Sequence, residues 1–71
     1  MASQSFDERD FLQCWTGGWS LEENDKNKEA IEVYRKCLLM LPGESEKYNL
    51  YRTKLHINIA VSLEKVLRQR L

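Results

Sequence analysis

The sequence predicts an all-α fold, and two observations carry that prediction. The residues that break helices, one proline and three glycines, fall in just two places, Gly17-Gly18 and Pro42-Gly43. Between those places the apolar residues recur at intervals of three and four, the spacing of one helical face. The breakers divide the chain into three helical segments within a single small domain, 1–71, with residues 1–4 expected to be disordered.

The first segment opens at Ser5. With Glu8 three residues on, Ser5 makes a candidate capping box, in which each side chain satisfies a backbone amide of the other. Phe6, Phe11, Leu12, Cys14 and Trp15 follow, too densely apolar for a loop. Gly17 and Gly18 each weaken a helix by about 1 kcal/mol relative to alanine. Two readings stay open: the helix stops and Ser20 with Glu23 caps a fresh start, or the glycines lie mid-helix because another backbone comes close.

The second segment is clearer. Ala30, Tyr34, Cys37 and Leu41 line one stripe, widened by Ile31 and Leu38 on one side and Val33 and Met40 on the other. Pro42 ends it, because the residue before a proline is pushed out of the α region. Leu39 falls opposite the stripe, which suggests that this helix is touched on more than one side.

The third segment, from about Glu46, is the longest. Tyr48, Leu55, Ile59, Leu63 and Val66 make its main apolar face. Leu50, Ile57 and Val61 make a second strip on the opposite side, which so short a chain has little material left to cover. The expected core is Ala30, Tyr34, Cys37, Leu41, Leu55, Ile59 and Leu63, with the last two helices antiparallel.

Size and charge narrow the function. A chain of 71 residues buries only about 60% of its unfolded surface, and its core supplies no more than about 3–5 kcal/mol. Such domains commonly gain stability from disulfides, a metal or association. The two cysteines and one histidine show no zinc-ligand spacing, so no metal or other cofactor is expected and association is the route to watch. Eleven basic residues balance eleven acidic ones, so the whole chain has no pull toward nucleic acid or acidic lipid. The acidic residues gather early (Asp7, Glu8, Asp10, Glu22, Glu23, Asp25) and the basic ones late (Arg52, Lys54, Lys65, Arg68, Arg70), where they suit a helix C-terminus.

No segment reaches the roughly 18–20 consecutive apolar residues of a membrane span. The N-terminal residues lack the basic start and apolar stretch of a secretory signal, and Ala2 rules out myristoylation. With uncommitted thiols, cytosol is the expected compartment.

Catalysis is not expected. His56 has no Ser, Cys or Asp at triad spacing, and nothing builds a pocket around Glu22, Glu23 and Asp25 that would split their pKa values. Cys37 occupies a packed position, so burial is expected rather than reactivity. The rival from another class is a nucleic-acid surface on the third helix, where basic residues interleave with Tyr48 and Tyr51. Neutral overall charge and the acidic first half disfavour it.

The second segment resembles the second helix of a tetratricopeptide (TPR) repeat, with Ala30, Tyr34, Cys37 and Pro42 at the small, aromatic, small and proline positions. Asn58-Ile59-Ala60 with Leu63 resembles the opening helix of a following repeat. Gly18 and Leu21 fall on the small and large positions of the preceding first helix, while Cys14 stands at its large aromatic position. The resemblance covers about residues 12–66, one and a half repeats, with an intervening stretch from Gly43 to Thr53 longer than the family's usual turn. It implies a TPR-like antiparallel helical hairpin plus an N-terminal helix, with peptides bound on the face of the first helices. That face would carry Trp15, Trp19, Ile57, Val61 and Lys65. In one subset of the family Lys, Asn and Arg clamp acidic chaperone tails. Asn58 alone matches here, so chaperone-tail binding is not expected. The microtubule-interacting and trafficking domain has a similar size and Ala–Tyr pattern, but its continuous first helix fits Gly17-Gly18 poorly. A plain dimeric helical hairpin also fits.

The expectation is a non-catalytic interaction or adaptor module that takes a protein or peptide partner, or pairs with itself as a homodimer. Its partner-binding candidates are Trp15, Trp19, Leu50, Ile57, Asn58, Val61 and Lys65.

Overall fold

Helix α1 begins one residue after Asp7, whose carboxylate accepts the backbone amides of Arg9 at 3.0 Å and Asp10 at 3.3 Å. That cap is Asp7 and not the expected Ser5–Glu8 box, since the Glu8 carboxylate turns away to Tyr51; Ser5 itself lies outside the described residues. The computed structural model describes residues 6–43 and 46–70, so the expected disorder of residues 1–4 also lies outside them. Among the described residues there are three helices, α1 (Glu8–Glu23), α2 (Asn27–Met40) and α3 (Glu46–Gln69), and no strand.

The two readings of Gly17-Gly18 resolve in favour of a continuous helix. α1 runs through both glycines and no new start occurs at Ser20. Gly18 is buried against α2, where the Tyr34 ring occupies the space its side chain would need. The close approach is thus a side chain and not a backbone. α1 ends in a Schellman-type turn: the Lys26 amide donates to the Leu21 carbonyl at 2.9 Å and the Asp25 amide to that of Glu22 at 3.0 Å. Asp25 takes the left-handed φ of 63° that this turn needs, a conformation Asp tolerates better than most residues.

This tight turn sends α2 back along α1. Tyr34 meets Gly18 and Glu22 near one end of α1, while Cys14, a turn earlier, meets the Val33 carbonyl. α2 stops at Met40, and Leu41 before the proline is extended at φ −71°, ψ 136°. α3 begins at Glu46, so the stretch from Gly43 to Thr53 is mostly helix and not an extended turn. Arg52 folds back on the short connection, donating to the carbonyls of Pro42 and Gly43 and to the Asn49 side chain.

α3 runs parallel to α1. Glu8 meets Tyr51, Trp15 meets Asn58 and Glu22 meets Lys65, each pair 43 residues apart. Successive pairs lie two helical turns further along both helices, so one register holds the full length of α1. α2, antiparallel to α1, is therefore antiparallel to α3 as well. The core is Phe11, Ala30, Tyr34, Cys37, Leu41 and Leu55.

The expected core differs at Ile59, Leu63 and Phe11, and Ile59 is only partly buried against it. Leu63 is 44% exposed, whereas Ser62 is fully buried. α3 packs on two helices at once, with α1 along Tyr51, Asn58 and Lys65 and with α2 along Leu55 and Ile59. Its buried arc rotates toward α1, taking Ser62 in and leaving Leu63 at the outer edge. Phe11, absent from the expected core, is fully buried, and Leu39 is left almost wholly in solvent.

Candidate interaction groove between α1 and α3

An aromatic column spaces the parallel helices. Phe6 stacks edge-on to Tyr48 at 4.9 Å between centroids, Phe11 lies 5.2 Å from Tyr51, and Trp15 meets Tyr51 edge-on at 5.6 Å. These rings stand between the helix backbones and hold them apart, as large side chains at a crossing do. Above the column, away from α2, a groove of about 870 Å³ opens along α1 and α3. Its volume lies within the usual range of small-ligand and peptide sites.

The floor of the groove is a hydrogen bond. The Trp15 indole donates to the Asn58 side-chain carbonyl at 2.9 Å, which fixes both side chains and satisfies each polar group in a half-buried place. Leu12, Thr16 and Trp19 rise from α1 on one wall, and Lys54 and Ile57 from α3 on the other. Arg9, Gln13 and Glu8 complete the lining. Trp19 and Ile57 are 58% and 56% exposed, large apolar surfaces facing water beside each other's wall.

The charges at the groove are uneven. The Glu8 carboxylate is engaged by the Tyr51 hydroxyl at 2.6 Å and by Lys47 at 3.9 Å. The hydrogen bond to Glu8 raises the Tyr51 phenol above its ordinary value. Neither Arg9 nor Lys54 makes an ion pair among the described residues. The groove therefore presents apolar walls, with Arg9 and Lys54, neither of them ion-paired among the described residues, beside the engaged Glu8.

Of the expected partner-binding residues, the structure brings Trp15, Trp19, Ile57 and Asn58 together in this groove. Leu50 and Val61 continue the Ile57 strip above and below it, exposed but outside the lining. Lys65 is withdrawn: its ammonium sits 2.8 Å from the Glu22 carboxylate, which also accepts from the Tyr34 hydroxyl at 2.7 Å. Burial works to raise the Glu22 pKa, but the hydrogen bonds from Lys65 and Tyr34 and the Lys65 charge outweigh it and hold the carboxyl below its ordinary value. Ser62 faces the same carboxylate but makes no hydrogen bond of normal geometry. The same burial and the Glu22 contact push the Tyr34 phenol far up. These groups tie three helices together.

Sequence reading missed Glu8, Arg9, Leu12, Gln13, Thr16 and Lys54 as groove residues. A signal was present: Leu12, Thr16 and Trp19 recur at four and three, and Lys54 precedes Ile57 by three, so each set shares a face with a tryptophan or isoleucine already singled out. Among the described residues no cluster of three or more His, Cys, Asp or Glu side chains is placed to hold a metal, and no helix is long and apolar enough to cross a membrane. No protein-family model matches the chain, and neither the curated proteins nor the solved structures contain a match to it.

Proposed function

We propose that this chain is a non-catalytic interaction module whose α1–α3 groove receives an apolar segment of a partner protein. The observation that carries the reading is the pairing of Trp19 and Ile57, both large and mostly exposed, across a groove whose floor is already fixed by the Trp15–Asn58 hydrogen bond. A preorganised floor costs a ligand little ordering entropy, and exposed tryptophans are disproportionate anchors of binding energy. Two parallel helices backed by one antiparallel helix also suit the TPR-like reading, in which first helices line the binding face.

Arg9 and Lys54 define the polar side of the ligand. A peptide with one or two large apolar side chains for Trp19, Leu12 and Ile57, and a carboxylate nearby for the two cations, matches what the groove offers. The nucleic-acid alternative loses support because three of α3's basic residues are engaged within the chain itself. Arg52 closes the loop after α2, Lys65 pairs with Glu22, and Arg68 lies 3.6 Å from Glu64.

Selection of a random peptide library on the immobilised chain tests the proposal. Enriched peptides should carry an apolar anchor beside an acidic residue, and should lose binding to chains carrying Trp19→Ala or Ile57→Glu. Enrichment that ignores both substitutions, or none at all, would rule out the groove as the binding face.

A further inference from the structure

The two cysteines belong to different helices and face each other. The Cys14 thiol donates to the Val33 carbonyl at 3.9 Å. In α2 that carbonyl also takes the Cys37 amide one turn on, which brings Cys14 to the Cys37 turn of the helix. Cys14 packs against the core cluster that holds Cys37, near enough to help raise the Cys37 thiol, and both thiols are free. Their exposures differ: Cys14 is half-buried on α1, whereas Cys37 is fully enclosed in the core. We propose that Cys14 and Cys37 are a redox-modifiable pair, joined by hydrogen peroxide into an intramolecular disulfide that staples α1 to α2.

The chemistry divides between them by access. Cys14, as thiolate, attacks one oxygen of hydrogen peroxide; a sulfur–oxygen bond forms, the oxygen–oxygen bond breaks, and hydroxide leaves and takes a proton to become water. The product is a sulfenic acid at Cys14. The Cys37 sulfur then attacks the Cys14 sulfur, the sulfur–sulfur bond forms, and the sulfur–oxygen bond breaks. The Cys37 proton leaves with the hydroxyl as a second water. The two thiols lose two electrons and peroxide gains them. Burial, with the Cys14 contact second, pushes the Cys37 thiol up to about 12. Cys37 is therefore a poor first target for any reagent, and its role is to resolve an adjacent oxidised sulfur that proximity presents to it. Its enclosure also prevents it from reaching a second molecule.

The inference concerns the α1–α2 contact and is independent of the groove reading. The test treats the purified full chain with hydrogen peroxide, blocks residual thiols with an alkylating agent and measures intact mass and non-reduced peptides. The expected product is a monomer lighter by two hydrogens, with one cross-linked peptide containing Cys14 and Cys37. In the Cys37→Ser chain, or Cys37→Ala if serine unfolds the core, Cys14 should instead be trapped as a sulfenic acid by dimedone. Wild-type chains that gain oxygen at Cys14 without the cross-link, that dimerise through Cys14, or that do not react would each overturn the pairing.

Discussion

A methyl group added at Gly18 would lie 2.8 Å from the Tyr34 ring, whereas one added at Gly17 meets nothing within 4 Å. The ring cannot easily yield, because it is fully buried and its hydroxyl is tied to Glu22 at 2.7 Å. Gly18→Ala should therefore destabilise the fold by about 1–3 kcal/mol, the scale of overpacking, in spite of alanine's better helix propensity. Gly17→Ala should stabilise it by about 0.5–1 kcal/mol through that propensity alone. Urea unfolding of the two variants checks both signs; a stabilised Gly18→Ala chain contradicts the Tyr34 contact. Removing the ring itself with Tyr34→Ala should cost about 3–5 kcal/mol and unfold so small a domain, as circular dichroism would show. The sequence left Gly17-Gly18 open between a stop and a close approach because no local property says where Tyr34 docks. Cys37 was more legible: a small position four residues from Leu41 and three from Tyr34 could only face inward, whereas Cys14 was ambiguous. Under reducing conditions a thiol reagent should label Cys14 quickly and Cys37 slowly, as the burial of Cys37 requires.

The three helices are joined by the contact of Glu22 with Lys65 and Tyr34, and this makes stability depend on pH. The folded-state pKa of Glu22 lies below its unfolded value of 4.5. The stabilisation is thus fully present above that value and is lost as pH falls through the lower folded-state pKa. Glu22→Gln should lower the melting temperature at neutral pH and flatten its acid dependence as pH falls below the unfolded value of 4.5. A variant with the same slope as wild type would show that other carboxylates carry the acid response. Helix boundaries at Pro42 and the α2 stripe were legible because proline and a spacing of three and four act locally. The face of α3 was legible only in part. Periodicity placed Leu63 with Ile59 and Leu55, but the rotation that buries Ser62 instead comes from contacts with α1, 43 residues away. Those pairs have no local signature: a Trp, a Glu and a second Glu on one helix do not announce an Asn, a Tyr and a Lys on another.

On the scale of the whole molecule, parallel α1 and α3 leave a furrow that α2, behind them, cannot fill. The Leu50, Ile57 and Val61 strip stood out in the sequence as a second apolar face on too short a chain, and in the structure all three residues remain exposed. The other wall was less legible, because Leu12 read as part of a dense apolar run and Gly17-Gly18 left open whether Trp19 lay on the same helix. Self-association through the same strip is the competing use of this surface, and light scattering separates it from a monomer that awaits a ligand. The central claim is that the strip binds and does not hold the fold. Calorimetric titration of a library-selected peptide into the Ile57→Glu, Val61→Glu chain, alongside wild type, tests it most directly. The substitutions should leave helix content and melting temperature near wild type and weaken binding at least about tenfold, or about 1.4 kcal/mol. An unfolded variant, or one that binds the peptide as tightly as wild type, would contradict the claim.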